Sequence, residues 1–333
     1  MPGIGVISNA NARLNKISPL LKDSLNFIVG RRGEVVSTYS LEDVGQAVRD
    51  FKRYEVDIIA ISGGDGTIHR TIEGLLREYD NVVIPPLLLL PSGTQNMIPR
   101  SFGIRNNSIT TMLLALTQYK HNIPMRVIRR NLLRVNNHFC FLFGIGTATR
   151  FLREHYKRGT SHFHAATLLG IYVWEGLRHG LKAQRILAPM KMQACVDDGP
   201  VYNIAPNTVF CSFTEEIAMH FRLFPRAGWQ KDRFETLVAH SSIHETVISL
   251  PFLWWGTHMK LPHIERKLVS SMWMKLETPE PFTLDGDLYD PISEFHLSAG
   301  PELRFVVPGV VRMDPAVEAR SEKIGPWGSN FIV

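Results

Sequence analysis

The chain has 333 residues, enough to bury one large or two medium hydrophobic cores, and two domains is the expectation. With 44% hydrophobic and 20% charged residues the composition is that of a globular protein, which excludes wholesale disorder, and no apolar run is long enough to span a bilayer. The formal net charge of +6 suits an anionic partner, whether nucleotide, acidic membrane surface or nucleic acid, without choosing among them.

Cys140, Cys195 and Cys211 cannot all pair, and their spacing has no metal-knuckle pattern, as in a reducing compartment. The start, MPGIGVISNANARLN, lacks a basic flank and a long apolar run. The expectation is therefore no signal peptide and a cytoplasmic location.

In chain order, GIGVIS is a short β-prone run ending at Asn9, and GEVVSTYS is a second ending near Thr38. LEDVGQAVRDFKRY places Leu41, Val44, Val48 and Phe51 at helical spacing, with Glu42 and Asp43 in the first turn. VDIIAIS is a continuous β-branched run, as expected of a strand covered on both faces, and it stops at Gly63-Gly64. A helix is expected from near Ile68 with Ile68, Ile72, Leu75 and Leu76 on one side, then a buried strand at PPLLLLPSG and a helix through ITTMLLALTQY. Strands alternating with helices predict an N-terminal α/β domain with a mostly parallel sheet, residues 1–127.

From Ile128 the pattern changes. RRNLLRVNNHFCFLFGIG reads as two strands joined at Asn136-Asn137. One or two helices are expected over 165–180. Short β-like pieces follow at MKMQACVDD, VYNIAPN, HFRLF, RFETLVAH, MWMKLET, EFHLSAG and LRFVVPG. These predict a second, mainly antiparallel β domain, residues 128–309, that would bind the acceptor, with the tail 310–333 open to packing back on the first domain.

Gly63-Gly64-Asp65-Gly66-Thr67 lies between a strand and a helix, where glycines let a phosphate approach backbone N–H groups and the helix N-terminus adds partial positive charge. Thr67 offers a hydroxyl, and Asp65 could hold a metal-bound water or a ribose hydroxyl. The blander reading is a tight turn with an acidic cap; no Gly-Lys-Ser/Thr follows, so this is not a Walker loop. A second loop, Ser92-Gly93-Thr94-Gln95-Asn96, follows the next predicted strand, and ligands of open α/β sheets bind at such carboxyl ends. Two Gly-Thr loops on neighbouring strands favour a nucleotide site. Near the end, Leu284-Asp285-Gly286-Asp287 reads locally as a hairpin turn.

GGDGT at 63–67, PSGTQN at 91–96 and DGD at 285–287, with FLFGIG at 141–146, occur in the order that identifies the chain as similar to the diacylglycerol kinase catalytic-domain family, which includes bacterial lipid kinases and sphingosine kinases. The resemblance implies an ATP-dependent lipid kinase that transfers the γ-phosphate to a hydroxyl of a diacylglycerol-like or related lipid acceptor, with ATP and Mg²⁺. It implies that Gly63, Gly64, Asp65, Gly66, Thr67, Thr94 and Asn96 bind nucleotide, with Asn9 and Thr38 nearby. Asp285 would meet the magnesium–nucleotide complex, and Asp287 would accept the acceptor's proton, which a carboxylate within hydrogen-bond reach of an alcohol can do.

The chain departs from the family pattern at Ala10, which follows Asn9 where the family has proline, and at His69 and Arg70, where it often has asparagine and an acid. The family's second-domain metal pattern aligns with Asp232 but lacks its glycine. The departures keep open a catalytically impaired nucleotide-binding regulatory protein, and the shared GGDGT keeps open an NAD kinase-like enzyme, against which the late DGD argues.

His162 and His164 read as a polar loop. Arg129, Arg130, Arg134, Arg150, Arg153, Lys157 and Arg158 read as a solvated face, or as one that meets anionic lipid. Phe252-Leu253-Trp254-Trp255 reads as a core helix in preference to a membrane contact. Peripheral contact with an anionic membrane is expected from the substrate class. No motif or basic-aromatic stripe supports a nucleic-acid partner.

Overall fold

The computed structural model describes residues 3–9, 33–80, 82–93, 95–158, 170, 181–217, 221–256, 261–309, 318 and 321–325. The chain divides into two units, Met1–Arg130 with Glu302–Val333, and Asn131–Pro301.

The first unit alternates β1 (Ile4–Asn9), β2 (Gly33–Thr38), helix α1 (Leu41–Arg53), β3 (Ile58–Gly63), α2 (Asp65–Tyr79), β4 (Leu87–Pro91), α3 (Met97–Ser101) and α4 (Ser108–Lys120), then enters β5 (Met125–Val135). β2, β1, β3 and β4 lie side by side and parallel, registered through Ile4↔Gly33, Ile4↔Ile58 and Ile59↔Leu87. Buried strands need no polar alternation, so β3 and β4 are buried at every residue. One sheet face packs Ile4, Val6, Ile58, Ala60, Leu88 and Leu90 against Met112, Ala115 and Leu116 of α4 and against Met125 and Val127 of β5. Burying each such aliphatic side chain stabilises by roughly 1.5–3 kcal/mol. At α1 a capping box sets the start, Ser40 accepting from the Asp43 N–H and Asp43 accepting from the Ser40 N–H.

The second unit holds the rest of β5, β6 (His138–Cys140), β7 (Leu142–Gly146), α5 (Thr147–Arg158), α6 (Leu181–Ile186), β8 (Met192–Val196), β9 (Tyr202–Ile204), β10 (Thr208–Ser212), β11 (Phe234–Ala239), α7 (Ile243–Trp255), β12 (Ile264–Val269), β13 (Ser271–Leu284) and most of β14 (Asp287–Val307). Within it β12, β11, β10, β7, β13 and β14 run in that order, each antiparallel to its neighbour. Its core includes Phe143, Phe282 and Phe295, with the Phe143 and Phe295 rings 5.2 Å apart and edge-on. Burial pushes the Cys211 thiol well above its usual range, in keeping with a packing role.

β14 returns the chain to the first unit, where Phe305 and Val306 pair in parallel with Leu87 and Leu88 of β4. β15 (Ser321–Ile324) then pairs antiparallel with Met125–Ile128 of β5. The architecture is an α/β region with parallel strands and a mainly antiparallel β region.

The structure differs from expectation in several places. Phe221–Phe224 is not a strand, although Leu223 and Phe224 are buried. β10 and β12 appear where no strand was expected, and EFHLSAG and LRFVVPG are one continuous strand. The expected helices over 165–180 lie outside the described residues, apart from a helical Gly170. α7 is no core helix. A capping box of Ser242 and Glu245 starts it, but Trp254 and Trp255 are 47% and 65% exposed.

Candidate active site

Because β2, β1, β3 and β4 are parallel, their carboxyl ends share one edge of the sheet. Asn9 pairs with Thr38, Ser8 with Ser62, and Gly63 with Pro91. Asn9 Nδ2 donates to the Thr67 hydroxyl at 2.7 Å, and the buried Thr38 hydroxyl donates to the Ser8 carbonyl.

Helix α2 starts at Asp65 with extended Gly64 as its N-cap, three residues before the expected Ile68. Asp65, Gly66 and Thr67 are therefore its first turn, where N–H groups lack i−4 acceptors and the helix dipole is positive. The Asp65 carboxylate turns to the other loop, Oδ2 accepting from the Met97 N–H at 3.0 Å and Oδ1 from the Ile98 N–H at 2.9 Å. It caps α3 and ties the two loops together.

The loops also touch through backbone. A Cβ on Gly93 would lie 2.4 Å from the Gly64 Cα, and one on Gly64 would lie 3.1 Å from the Gly93 Cα. Only glycine allows that approach. Asn96, left-handed at φ 52°, closes its loop by accepting from the Gly93 N–H at 2.9 Å and donating to the Gly93 carbonyl at 3.1 Å. Thr94 lies outside the described residues. Beneath the loops runs a buried hydroxyl chain that sequence reasoning missed, Ser62 to Ser92 at 3.0 Å and Ser92 to Ser108 at 2.8 Å. The Ser108 hydroxyl also contacts the Pro91 carbonyl, at 2.7 Å.

In the second unit, Asp285 and Gly286, at φ 50° and 98°, form the two-residue turn from β13 to β14, with Leu284 paired to Asp287. The Asp285 side chain is buried. Its Oδ1 accepts from the Phe141 N–H at 2.9 Å and the Leu142 N–H at 2.8 Å, and its own N–H donates to the Leu142 carbonyl at 2.9 Å. The 141–146 and 285–287 segments are thus one hydrogen-bonded assembly. Asp287 is half-buried. Tyr156 of α5, also missed, donates its hydroxyl to the Gly286 carbonyl at 2.5 Å. Burial and the nearby Asp287 carboxylate raise its pKa.

Several of the other residues singled out by the sequence have structural partners. Asp232 is exposed; its Oδ1 accepts from Asn131 Nδ2 at 2.8 Å. Among the described residues no group of three or more His, Cys, Asp or Glu side chains could hold a metal ion. His69 is buried beside Glu73, at 3.7 Å, and Arg70 is on the exposed side of α2. Arg129 pairs with Glu302 and Glu322, and Arg150 with Glu280 at 2.7 Å. Arg130 is buried, its guanidinium 5.7 Å from the Phe102 ring, and Arg134 donates to the Asn136 carbonyl. Arg153 is exposed; His162 and His164, and the side chains of Lys157 and Arg158, lie outside the described residues.

A glycine-lined backbone surface at a sheet's carboxyl edge, with a helix N-terminus and a threonine hydroxyl, fits the phosphates of a nucleotide. For a magnesium ion the carboxylates divide. Asp65 and Asp285 already accept two N–H bonds each, and Asp287 stands half-buried just past the turn.

Residues 4–128 match the family model of the diacylglycerol kinase catalytic domain. The chain is 30% identical over 185 residues to the probable lipid kinase YegS of Salmonella heidelberg (strain SL476), covering 56% of each chain. It is 31% identical over 132 residues to that of Salmonella schwarzengrund (strain CVM19633), covering 40% of each. The match thus spans about half the length of these relatives. A diacylglycerol kinase structure from Bacillus anthracis str. Sterne shares the fold, with a TM-score of 0.63 at 16% identity over 95% of this chain and 98% of that one. The chain is similar to diacylglycerol kinase-type lipid kinases in sequence and in fold.

Proposed function

We propose that the protein is an ATP-dependent kinase that transfers the γ-phosphate to a hydroxyl of a lipid acceptor, a diacylglycerol-like lipid being the first choice. The observation that carries this reading is the backbone contact of Gly64 with Gly93, which brings two glycine loops together within the segment that matches the family model.

In this reading the first turn of α2 and the Thr67 hydroxyl bind the phosphates, and Asn9 orients that hydroxyl. Asp65 fixes one loop against the other, while Asn96 sets the second loop's curvature. Bound Mg²⁺ would neutralise phosphate charge, with Asp285 the carboxylate nearest to it in this reading. Asp285 positions the turn. Asp287 accepts the acceptor hydroxyl's proton as the oxygen–phosphorus bond forms and the bond to the leaving ADP oxygen breaks.

The test is transfer of label from γ-labelled ATP with Mg²⁺ to an extracted lipid mixture, wild type against Asp287→Ala. Label should enter the organic phase with wild type and fall by roughly 10²–10⁴-fold with the variant, the range for loss of a general base. ATP binding by the wild type without transfer to lipid would instead favour a non-lipid acceptor or the non-catalytic nucleotide-binding protein that His69 and Arg70 suggest.

A further inference from the structure

Helix α7 has its only acidic residue, Glu245, in the first turn; from Thr246 the sequence runs TVISLPFLWW without a charge. A surface helix ordinarily turns polar residues outward. Here the outward positions include Ile248, Pro251, Trp254 and Trp255, with Ile248 64% exposed. Spacings of three and seven residues from Ile248 set Pro251 and Trp255 on one stripe. Trp254 and Trp255 stand together, ring centroids 5.9 Å apart. Contiguous exposed apolar surface marks an interaction site, and indole, apolar in body with one N–H, favours the headgroup level of a bilayer.

A cation stands at the tryptophan end of the helix. Glu245 is at the start, and Arg222 is at the tryptophan end. The Arg222 N–H donates to the Leu253 carbonyl at 3.0 Å, and its stem lies against Gly256, where a Cβ would meet the Arg222 Cβ at 2.6 Å. Buried Glu216 accepts from Arg222 Nε at 3.3 Å, and 46% of the Arg222 side chain faces solvent. The chain as a whole carries a net +6.

We propose that this face of α7 is the surface by which the protein sits on an anionic phospholipid bilayer. Trp254 and Trp255 lie at headgroup depth, Ile248 reaches the acyl boundary, and Arg222 meets lipid phosphates. The proposal rests on the lipid-kinase reading, because an acceptor with acyl chains resides in such a bilayer.

The experiment uses the full chain with equimolar phosphatidylcholine–phosphatidylglycerol vesicles carrying brominated acyl chains, at low salt. Wild type should float with the vesicles, and its tryptophan emission should be quenched. Trp254→Phe/Trp255→Phe should still float while losing most of the quenching, and Ile248→Asp should lose about tenfold or more in vesicle affinity, the order expected for exchanging a buried aliphatic for a charge. Wild type left in the dense fraction would overturn the proposal. So would unchanged flotation of Ile248→Asp together with unchanged quenching of the double variant. A concentration-dependent dimer that Ile248→Asp abolishes, without vesicle binding, would overturn it in favour of a second copy of the chain. Phosphate transfer to a short-chain, water-soluble acceptor is measured in parallel. Its absence in wild type and Ile248→Asp alike counts against the kinase reading, whereas flotation and quenching report on the docking face.

Discussion

A methyl group on Gly93 would come far closer to the neighbouring loop than one on Gly64, 2.4 Å against 3.1 Å, and both would meet main chain that cannot rotate away. Gly93→Ala is therefore expected to force the loops apart and to destabilise by about 1–3 kcal/mol, the usual range for overpacking, with Gly64→Ala milder. Denaturant unfolding gives the stability order, and calorimetric titration with ATP should give the same order for nucleotide affinity. Equal affinities in both variants and wild type would separate the loops from nucleotide binding. Asp65 does at the residue scale what the glycines do by lacking side chains. Its two acceptor bonds to Met97 and Ile98 explain why an acid suits that position apart from any metal.

Among the elements, the β13–β14 hairpin and the start of β7 are joined in part by the Asp285 carboxylate. Asp285→Ala leaves the Phe141 and Leu142 N–H groups without their acceptor and should cost roughly 1.5–3 kcal/mol, the scale of hydrogen bonds to a charged group. Asp287→Asn, two residues further on, keeps the side chain's shape and should leave thermal unfolding close to wild type while removing phosphate transfer. Measuring Tm and transfer for both variants separates scaffold from chemistry; an Asp287→Asn protein with a large drop in Tm would give Asp287 a structural role as well.

At this scale it is also clear what the sequence could reveal. β3 and β4 were legible because strands covered on both faces are continuous apolar runs, and α1 because Val44, Val48 and Phe51 recur at helical spacing. HFRLF misled because Phe224 is buried from a loop, where hydrophobicity records burial and not strand pairing. The glycine loops were legible because close backbone approach requires glycine. The Ser62–Ser92–Ser108 chain and Tyr156 were not, since a hydroxyl becomes informative only when folding brings its distant partner beside it.

For the whole molecule, pH acts on buried charge. Glu235 is fully buried on β11, its Oε2 accepting from the Arg226 N–H at 2.7 Å and its Oε1 from Arg226 Nε at 3.1 Å. Burial raises its pKa above the ordinary 4.5, and the bonds and charge of Arg226 only partly oppose it. The folded chain then holds that proton more tightly than the unfolded chain. This contribution to stability is full below 4.5 and is lost as pH rises through the folded value. Glu235→Gln cannot titrate, so the wild-type-minus-variant difference in Tm should fall as pH is raised from 4.5 towards neutrality. A difference that stays flat across that range would mean that the folded and unfolded chains hold the proton alike.

The return of β14 to pair Phe305 and Val306 with Leu87 and Leu88 has a consequence for biosynthesis. Until the ribosome has released residues beyond Val307, the all-apolar strand Leu87–Leu90 has an open edge on that side, and exposed apolar edges invite pairing with other chains. A gene fragment cut at the end of the 4–128 match would keep that edge open for good. The segment that matches the family model is thus contiguous in sequence, while the strand that covers its edge is encoded some two hundred codons later.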